Sequence, residues 1–265
     1  MNIQIFQVDA FTVKPFTGNP AAVCILEHAK DDAWMQAVAA EMNLSETAFL
    51  LPKGNGYHLR WFTPTTEVDL CGHATLASAH ILYEFGFYEE DEPIEFFTRS
   101  GKLISRFDNG FIELDMPRRD PIKIAPPASL IEALGKQPVS TATFEDKSIL
   151  AEYESDEFIR DFLPDFKKLS TLDFNDVVIT ARSEDPKYDV ISRFFAPRLG
   201  INEDPVTGSV HCLLGPFWAE KLGKEKFLAY QASPRGGEVR VRLTKDRAFI
   251  GGKAITVLRG DLVHQ

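Results

Sequence analysis

The sequence predicts an α+β protein made of two pseudo-symmetric β-rolls, each wrapped around a central helix. Three observations carry this prediction: a length of 265 residues, a proline-rich stretch near the middle, and a repeat that relates the two halves. The length exceeds the usual size of one domain and fits two cores of about 130 residues each. We therefore expect domains at residues 1–117 and 118–265, with the final strand free to return to the first domain.

The proline-rich stretch supplies the expected boundary. Residues 115–130 read DMPRRDPIKIAPPASL and carry four prolines. Proline interrupts helices and inner strands, so this composition is typical of a linker.

The repeat relates the two halves residue by residue. RWFTP and a helix opening with CGHAT in the first half correspond to RFFAP and a helix opening with TGSVH in the second. Gly72 and Gly208 are 136 residues apart, whereas Pro64 and Pro197 are 133 apart. The second half therefore has three extra residues in the intervening turn, and the chain is an internal duplication.

Local patterns predict the elements of the first half in chain order: strands at 2–10 and 20–26, a helix at 31–42, and a hairpin of strands 46–52 and 57–63. The helix opens with two aspartates, which stabilise the positive end of a helix. Two glycines, at positions 54 and 56, separate the runs of the hairpin.

A central helix follows in each half. Residues 73–83 are apolar around the whole circumference, and residues 210–222 repeat this pattern with Leu213, Phe217 and Trp218. A helix that is apolar on all sides is enclosed by protein. A sheet curled around the helix satisfies that demand.

Composition excludes several classes of function. The net charge of −10 disfavours binding to nucleic acids and anionic membranes. Three widely spaced cysteines indicate neither a zinc site nor a disulfide framework, and they favour a reducing compartment. The N-terminus lacks the pattern of a secretory leader and no run is long enough to span a bilayer, so we expect a cytoplasmic protein. No dinucleotide, phosphate-loop or serine-nucleophile motif occurs, and we expect neither a metal nor a cofactor.

Each central helix begins at a glycine followed by a polar residue, Gly72-His73 in the first half and Gly208-Ser209 in the second. Free backbone N–H groups and the helix dipole make such a start a site for an anion. A lone glycine there would more simply allow the turn to approach the sheet, but its duplication favours the anion site. If the halves face each other, a substrate carboxylate would lie between the two starts.

Two acidic residues are candidates for the chemistry. Glu46 lies among apolar residues in NLSETAFLL, and burial would raise the pKa of its carboxyl toward the range that suits proton transfer. Otherwise Glu46 faces solvent, or it lies in the first turn of a helix capped by Ser45. Asp204, before the second central helix, is either a turn residue or the partner of His73.

Five segments, in this order, resemble the PhzF-like proteins of phenazine biosynthesis, within the diaminopimelate-epimerase-like fold: GNPAAVC, NLSETAF, FTPTTEVDLCGHAT, EDPVTGSVH and GGKAITVLRG. The resemblance implies a homodimer and a cofactor-free isomerisation similar to that of trans-2,3-dihydro-3-hydroxyanthranilate. It implies that Glu46 is the catalytic acid/base. The residues that it places at the substrate are His73, Asp204, Ser209, Gly72 and Gly208. It does not define the substrate of this chain.

Two other functions stay open. In a thiol-based epimerase or racemase Cys71 would exchange protons, but its counterpart in the repeat is Thr207, a poor proton donor and acceptor near neutral pH. In the second alternative the chain is a non-catalytic protein that binds a small molecule on the same fold. The presence of Glu46, His73 and Asp204 together favours an enzyme.

Overall fold

The computed structural model describes residues 3–145 and 147–263. The chain separates into two compact units, residues 1–116 with 249–265 and residues 117–248. The C-terminal segment belongs to the first unit, as the expectation for the final strand allowed, because its last strand pairs with the first strand of the chain. Within the described ranges, no helix has both the length and the apolar character needed to cross a bilayer.

The first unit contains the elements β1 (Ile3–Ala10), β2 (Asn19–Ile25), α1 (Asp32–Met42), β3 (Glu46–Lys53), β4 (Gly56–Phe62), β5 (Glu67–Val68), α2 (Gly72–Glu84), β6 (Ile94–Thr98), β7 (Gly101–Asp108) and β8 (Phe111–Pro117). These bounds confirm the expected first strands, the helix after them and the hairpin. Asp31 caps α1 by accepting a hydrogen bond from the Trp34 N–H at 2.7 Å.

The second unit contains β9 (Ile122–Ile124), α3 (Ala128–Leu134), β10 (Ser140–Phe144), β11 (Ser148–Glu152), α4 (Asp156–Asp161), α5 (Phe166–Leu169), β12 (Asp176–Arg182), β13 (Val190–Phe195), a 3-10 turn (Pro197–Leu199), α6 (His211–Leu222), β14 (Lys226–Gln231) and β15 (Gly237–Leu243). Strand β16 (Arg247–Gly252) then leads to β17 (Ala254–Leu262), which pairs antiparallel with β1.

The same succession of strand pairings is found in both units. In the first, β1 and β2 are antiparallel, β2 and β3 parallel, β3 and β4 antiparallel, β4 and β6 parallel, and β6 and β7 antiparallel. In the second, β10 to β15 repeat this order of directions with α6 in the place of α2. The pairings confirm the duplication expected from the sequence.

Both central helices are enclosed, as their apolar sequences require. In α2, Gly72 through Ala79 are buried together with Ile81 and Leu82, and the helix contacts β1, β2 and β3. In α6, His211 through Trp218 are buried. Gly215 allows the close approach of α6 to β15, because a Cβ at this position would lie 3.1 Å from a methyl carbon of Val241.

The second central helix begins later than expected. Gly208 and Ser209 form a turn rather than the first residues of α6, which starts at His211. The reason is a tighter hydrogen-bond pattern: the N–H of His211 bonds to the carbonyl of Gly208 at 3.1 Å, and the N–H of Cys212 bonds to that of Ser209 at 3.2 Å. Bonds that span three residues are typical of a 3-10 entry to a helix.

An arginine on the strand before each central helix holds the turn that follows. Arg60 on β4 forms two hydrogen bonds to Glu67, at 2.7 and 2.6 Å. Arg193 on β13 does the same with Glu203, at 2.7 and 2.9 Å. The arginines are 133 residues apart and the glutamates 136, so the three extra residues lie between Arg193 and Glu203.

Candidate active site

Glu46 is the first residue of β3, and its side chain is only 12% exposed. Asn43 ends α1 in a left-handed conformation, with φ of 50°, and this turn directs the chain from the helix into the strand. Glu46 is therefore neither in a first helical turn nor turned to solvent. Both alternatives from the sequence are wrong at this position.

His73, the second residue of α2, lies against Glu46. Its Nε2 is 3.1 Å from Oε2 of Glu46, and its side chain is 7% exposed. The two atoms lie within ion-pair distance, although they are not aligned as a hydrogen bond. On the other side of the imidazole, Nδ1 is 3.5 Å from the Sγ of Cys71.

The three groups set each other's protonation. Burial acts to raise the pKa of Glu46, but the charge of His73 and the polar contacts with His73 and Cys71 outweigh it, so the pKa is lowered. Burial acts to lower the pKa of His73, yet the interactions with Cys71 and Glu46 raise it well above the ordinary value. Burial and the nearby Glu46 carboxylate raise the pKa of Cys71 to about 11. At neutral pH the site holds a carboxylate, an imidazolium and a neutral thiol.

This result corrects the expectation for Glu46. From the sequence, burial alone predicts a raised pKa, whereas the structure shows a lowered one. The physical reason is the adjacent cation, because an opposite charge a few ångströms away favours the ionised form more than burial disfavours it.

Glu46, Cys71 and His73 also form a donor set for a metal ion, since one ligand atom from each lies within 4.8 Å of the others. Carboxylate, thiolate and imidazole together suit zinc. Binding would require loss of the protons from Cys71 and His73, whose pKa values are both raised, so a metal would compete with protons here.

In the second unit, Asp204 organises a turn before α6. Its Oδ2 accepts a hydrogen bond from the Thr207 hydroxyl at 2.5 Å. Gln231 on β14 holds the same turn: its Nε2 donates to the carbonyl of Asp204 at 2.8 Å, and its Oε1 accepts from the N–H of Thr207 at 2.9 Å. Asp204 therefore has the turn role considered from the sequence. Its pairing with His73, which belongs to the other unit, stays a prediction.

His211 completes this turn from within α6. Its Nδ1 donates to the carbonyl of Thr207 at 2.8 Å, and burial lowers the pKa of the imidazole to about 4. A neutral His211 thus fixes the backbone immediately before Gly208 and Ser209.

Two residues that shape the candidate site were not predicted in these roles from the sequence. The sequence suggests Cys71 as the proton-exchanging thiol of an epimerase or racemase, whereas in the structure it lies beside His73. Gln231 lies 24 residues after Thr207 in the chain, and nothing in its own sequence context distinguishes it. Only the parallel pairing of β13 with β14 brings it near the turn.

Comparison with known proteins identifies the class. The family model of the phenazine biosynthesis-like proteins (PhzC-PhzF) matches residues 8–260. An uncharacterized isomerase of Halalkalibacterium halodurans is 52% identical, with 99% of each chain covered, and one of Pseudomonas aeruginosa is 45% identical, with 98% of each covered. A solved PhzF-family structure from Enterococcus faecalis superposes with a TM-score of 0.94 at 39% identity, covering 99% of each chain.

These relatives show an isomerase with a fold of the diaminopimelate-epimerase-like class. The chain belongs to the phenazine biosynthesis-like protein family. The resemblance drawn from the five sequence segments and the predicted fold class are both confirmed.

Proposed function

We propose that this isomerase moves a proton on a small cyclic or unsaturated carboxylic acid, in a reaction similar to the isomerisation of trans-2,3-dihydro-3-hydroxyanthranilate. Glu46 is the acid/base. The observation that carries the proposal is the buried contact of 3.1 Å between Glu46 and His73.

The protonation states give the order of events. Glu46 is ionised at the start, because the adjacent cation lowers the pKa of its carboxyl, and it takes a proton from a carbon of the substrate. The electron pair of that C–H bond moves into the conjugated system of the substrate. Glu46 then delivers a proton, which exchanges in part with solvent while the carboxyl holds it, to a different carbon; this restores the carboxylate and leaves the atoms of the substrate unchanged in number.

His73 stabilises the intermediate in this sequence. Once Glu46 has taken the proton, the negative charge has moved to the substrate, while the imidazolium of His73 stays in place beside it. A fixed cation near the position where charge develops lowers the barrier. One carboxylate serves both steps, and the only groups required are side chains of this chain.

The start of each central helix is a proposed binding group for the substrate carboxylate. The first turn of α2, at Gly72 and His73, has N–H groups without partners inside the helix. Gly208 and Ser209 offer a comparable turn before α6, held in shape by Asp204. Each helix start by itself would supply hydrogen bonds and positive potential to an anion.

The alternative thiol mechanism is disfavoured by two observations. The pKa of Cys71 is raised to about 11, so the thiolate that such a mechanism needs is scarce near neutral pH. The counterpart of Cys71, Thr207, donates its hydroxyl to Asp204.

A screen in deuterated buffer tests the proposal. Small unsaturated carboxylic acids are incubated with the protein and followed by proton NMR for loss of a C–H signal and appearance of a shifted double bond. We expect turnover of an acid but not of its amide, because the amide lacks the anion that the helix starts bind. Equal turnover of acid and amide would contradict the carboxylate site.

The homodimer implied by the family resemblance and the cytoplasmic location expected from the sequence belong to the same proposal. Light scattering on the purified protein should give twice the chain mass of 29.8 kDa. A mass equal to that of one chain would contradict the dimer.

A further inference from the structure

A small cavity of about 70 Å³ lies within the second unit, against the turn that leads into α6. This volume exceeds the ~10–15 Å³ that one water molecule needs. Four polar residues line it: Arg119, Ser148, Asp176 and Ser209. Its apolar walls come from Phe144, Phe194, Val210 and Leu213.

Asp176 occupies the position in this unit that Glu46 occupies in the first. Asp176 begins β12 as Glu46 begins β3. The residue after Asp176 pairs with Phe195 on β13, and the residue after Glu46 pairs with Phe62 on β4. Since Phe62 and Phe195 are equivalent in the RWFTP and RFFAP repeats, the two acids are structural counterparts.

The helix starts next to these acids are counterparts too. His73 follows Gly72, and Ser209 follows Gly208. In the first unit the acid contacts the residue after the glycine, at 3.1 Å. In the second unit the acid and the residue after the glycine line one cavity. Both halves of the duplication therefore have an acid near the helix start, but the residue after the glycine is histidine in the first half and serine in the second.

The Asp176 carboxyl has one oxygen in use and one available. Oδ2 accepts a hydrogen bond from the hydroxyl of Ser148 at 2.9 Å. Oδ1 is buried and has no hydrogen-bond partner among the described residues. A buried carboxyl oxygen without a partner is costly, and a small hydrogen-bonding group in the cavity would offset that cost.

Arg119 is the other ionisable group among the described residues that line the cavity. Its guanidinium lies over the Phe144 ring, 5.2 Å from the centroid, and stays charged at all relevant pH values. Burial raises the pKa of Asp176 to about 6, while the Ser148 hydroxyl and the charge of Arg119 act in the opposite direction. Asp176 thus titrates within the physiological range.

We propose that Asp176 is a positioning residue: through one water or ligand hydroxyl in this cavity, its protonated form orients the Ser209 hydroxyl to donate to a bound carboxylate. This inference rests on the proposed function, which places Ser209 at the substrate carboxylate.

The direction of the effect follows from hydrogen-bond polarity. A protonated Asp176 donates to the bridging group, which donates to Ser209, which in turn donates to the anion. An ionised Asp176 instead accepts from the bridging group, takes up the one proton that a bridging hydroxyl would otherwise donate to Ser209, and adds a like charge near the anion. Carboxylate binding is therefore strong below the pKa of Asp176 and weakens as the pH rises through it, and by linkage the bound anion raises that pKa.

The first arm of the test uses the ligand-free protein. The Asp176 carboxyl carbon is followed by ¹³C NMR from pH 4 to 9, and its signal is identified by its absence in Asp176→Asn. Ser209→Ala should shift the midpoint, because the bridging group loses the partner whose orientation depends on the protonation of Asp176. Ser170→Ala, at an exposed serine of the same unit, is the matched control and should leave the midpoint in place. An unchanged midpoint in Ser209→Ala would overturn the coupling.

The second arm uses benzoate, which is ionised throughout the range, and calorimetry at pH 5.5 and pH 8. We expect the Kd of the wild type to rise about tenfold across this range. A change of this size corresponds to a difference of about one unit between the pKa of Asp176 in the free and the bound protein. Asp176→Asn should bind equally at both pH values, while Asp173→Asn, at a nearby exposed residue, should behave as the wild type does. A pH dependence retained in Asp176→Asn would overturn the inference.

The two arms separate this inference from the proposed function. Failure of benzoate to bind the wild type at either pH, with the midpoint shift of Ser209→Ala present, would contradict the carboxylate site and the positioning role but not isomerase activity on other acids. Binding that is independent of pH, with turnover intact, would contradict the role of Asp176 alone.

Discussion

His73 is the residue whose charge state the proposed chemistry depends on most. Its environment contains two opposed influences, since burial lowers the pKa of the imidazole and the interactions with Cys71 and Glu46 raise it. Because the Cys71 thiol remains neutral up to a pKa of about 11, the charge that favours the imidazolium near neutral pH is the carboxylate of Glu46.

A histidine titration tests this assignment. In the wild type, the imidazole of His73 should titrate well above its ordinary pKa of about 6.5. In Glu46→Gln, burial then dominates and the midpoint should fall below that value. The measurement is a ¹H–¹³C NMR titration with His73→Asn to identify the signal. A midpoint that does not move in Glu46→Gln would contradict the ion pair.

The same pair has a signature in stability. A raised pKa of His73 contributes stability that is complete below the ordinary histidine pKa and is lost as the pH rises through the folded value. A lowered pKa of Glu46 contributes stability that is complete above its ordinary pKa and is lost as the pH falls through the folded value. The pair therefore stabilises the fold most between the two ordinary values, from about pH 4.5 to 6.5.

Cys71 distinguishes the carboxylate mechanism from the thiol mechanism. Cys71→Ala removes a weak contact of 3.5 Å with His73, and a typical hydrogen bond contributes about 0.5–1.5 kcal/mol. We expect turnover to fall by about tenfold at most, and iodoacetamide not to abolish it. The assay is turnover of any acid found in the screen. A folded but inactive Cys71→Ala would contradict the single-carboxylate mechanism.

At the scale of elements, one arginine–glutamate pair holds the turn before each central helix, and the two arginines differ in their additional partners. Arg60 has a second carboxylate partner, Asp32, at 2.8 Å. Arg193 instead donates to backbone carbonyls, including that of Phe162 at 2.6 Å. Its side chain is 8% exposed, against 16% for Arg60.

Glu203→Gln should therefore destabilise the protein more than Glu67→Gln. Removing one partner of a buried ion pair costs about 3–5 kcal/mol, and Arg193 has no other carboxylate among the described residues to offset the loss. Arg60 retains Asp32. Urea unfolding of the two variants measures the difference, and an equal loss of stability in both would contradict this reading of the turns.

At the scale of the whole molecule, the duplication was predictable from sequence because two constant spacings relate equivalent residues of the two halves. The glycines before the helices keep one spacing and the prolines another, and both spacings reappear in the arginines and glutamates of the turns. The burial of α2 and α6 was likewise predictable, since helices apolar on every side have no surface that suits water.

The parts that sequence reasoning missed depend on contacts between distant residues. The lowered pKa of Glu46 requires His73, which is 27 residues away in the chain, so apolar neighbours in sequence predicted the opposite shift. Asp176 had a signal that could have found it: NLSETAF and DFNDVVI align when the strands before RWFTP and RFFAP are compared. The start of α6 could not be predicted, because a 3-10 turn and a helical turn have similar sequence preferences.

The central claim is that Glu46 transfers the proton. The most direct measurement is deuterium incorporation from solvent into the substrate found by the screen, comparing the wild type with Glu46→Gln at matched ligand occupancy. Loss of a general acid/base group lowers the rate by about 10²–10⁴-fold, so we predict that incorporation and isomerisation fall together by that amount while the fold and ligand binding remain. Incorporation at the rate of the wild type in a folded Glu46→Gln would contradict the account.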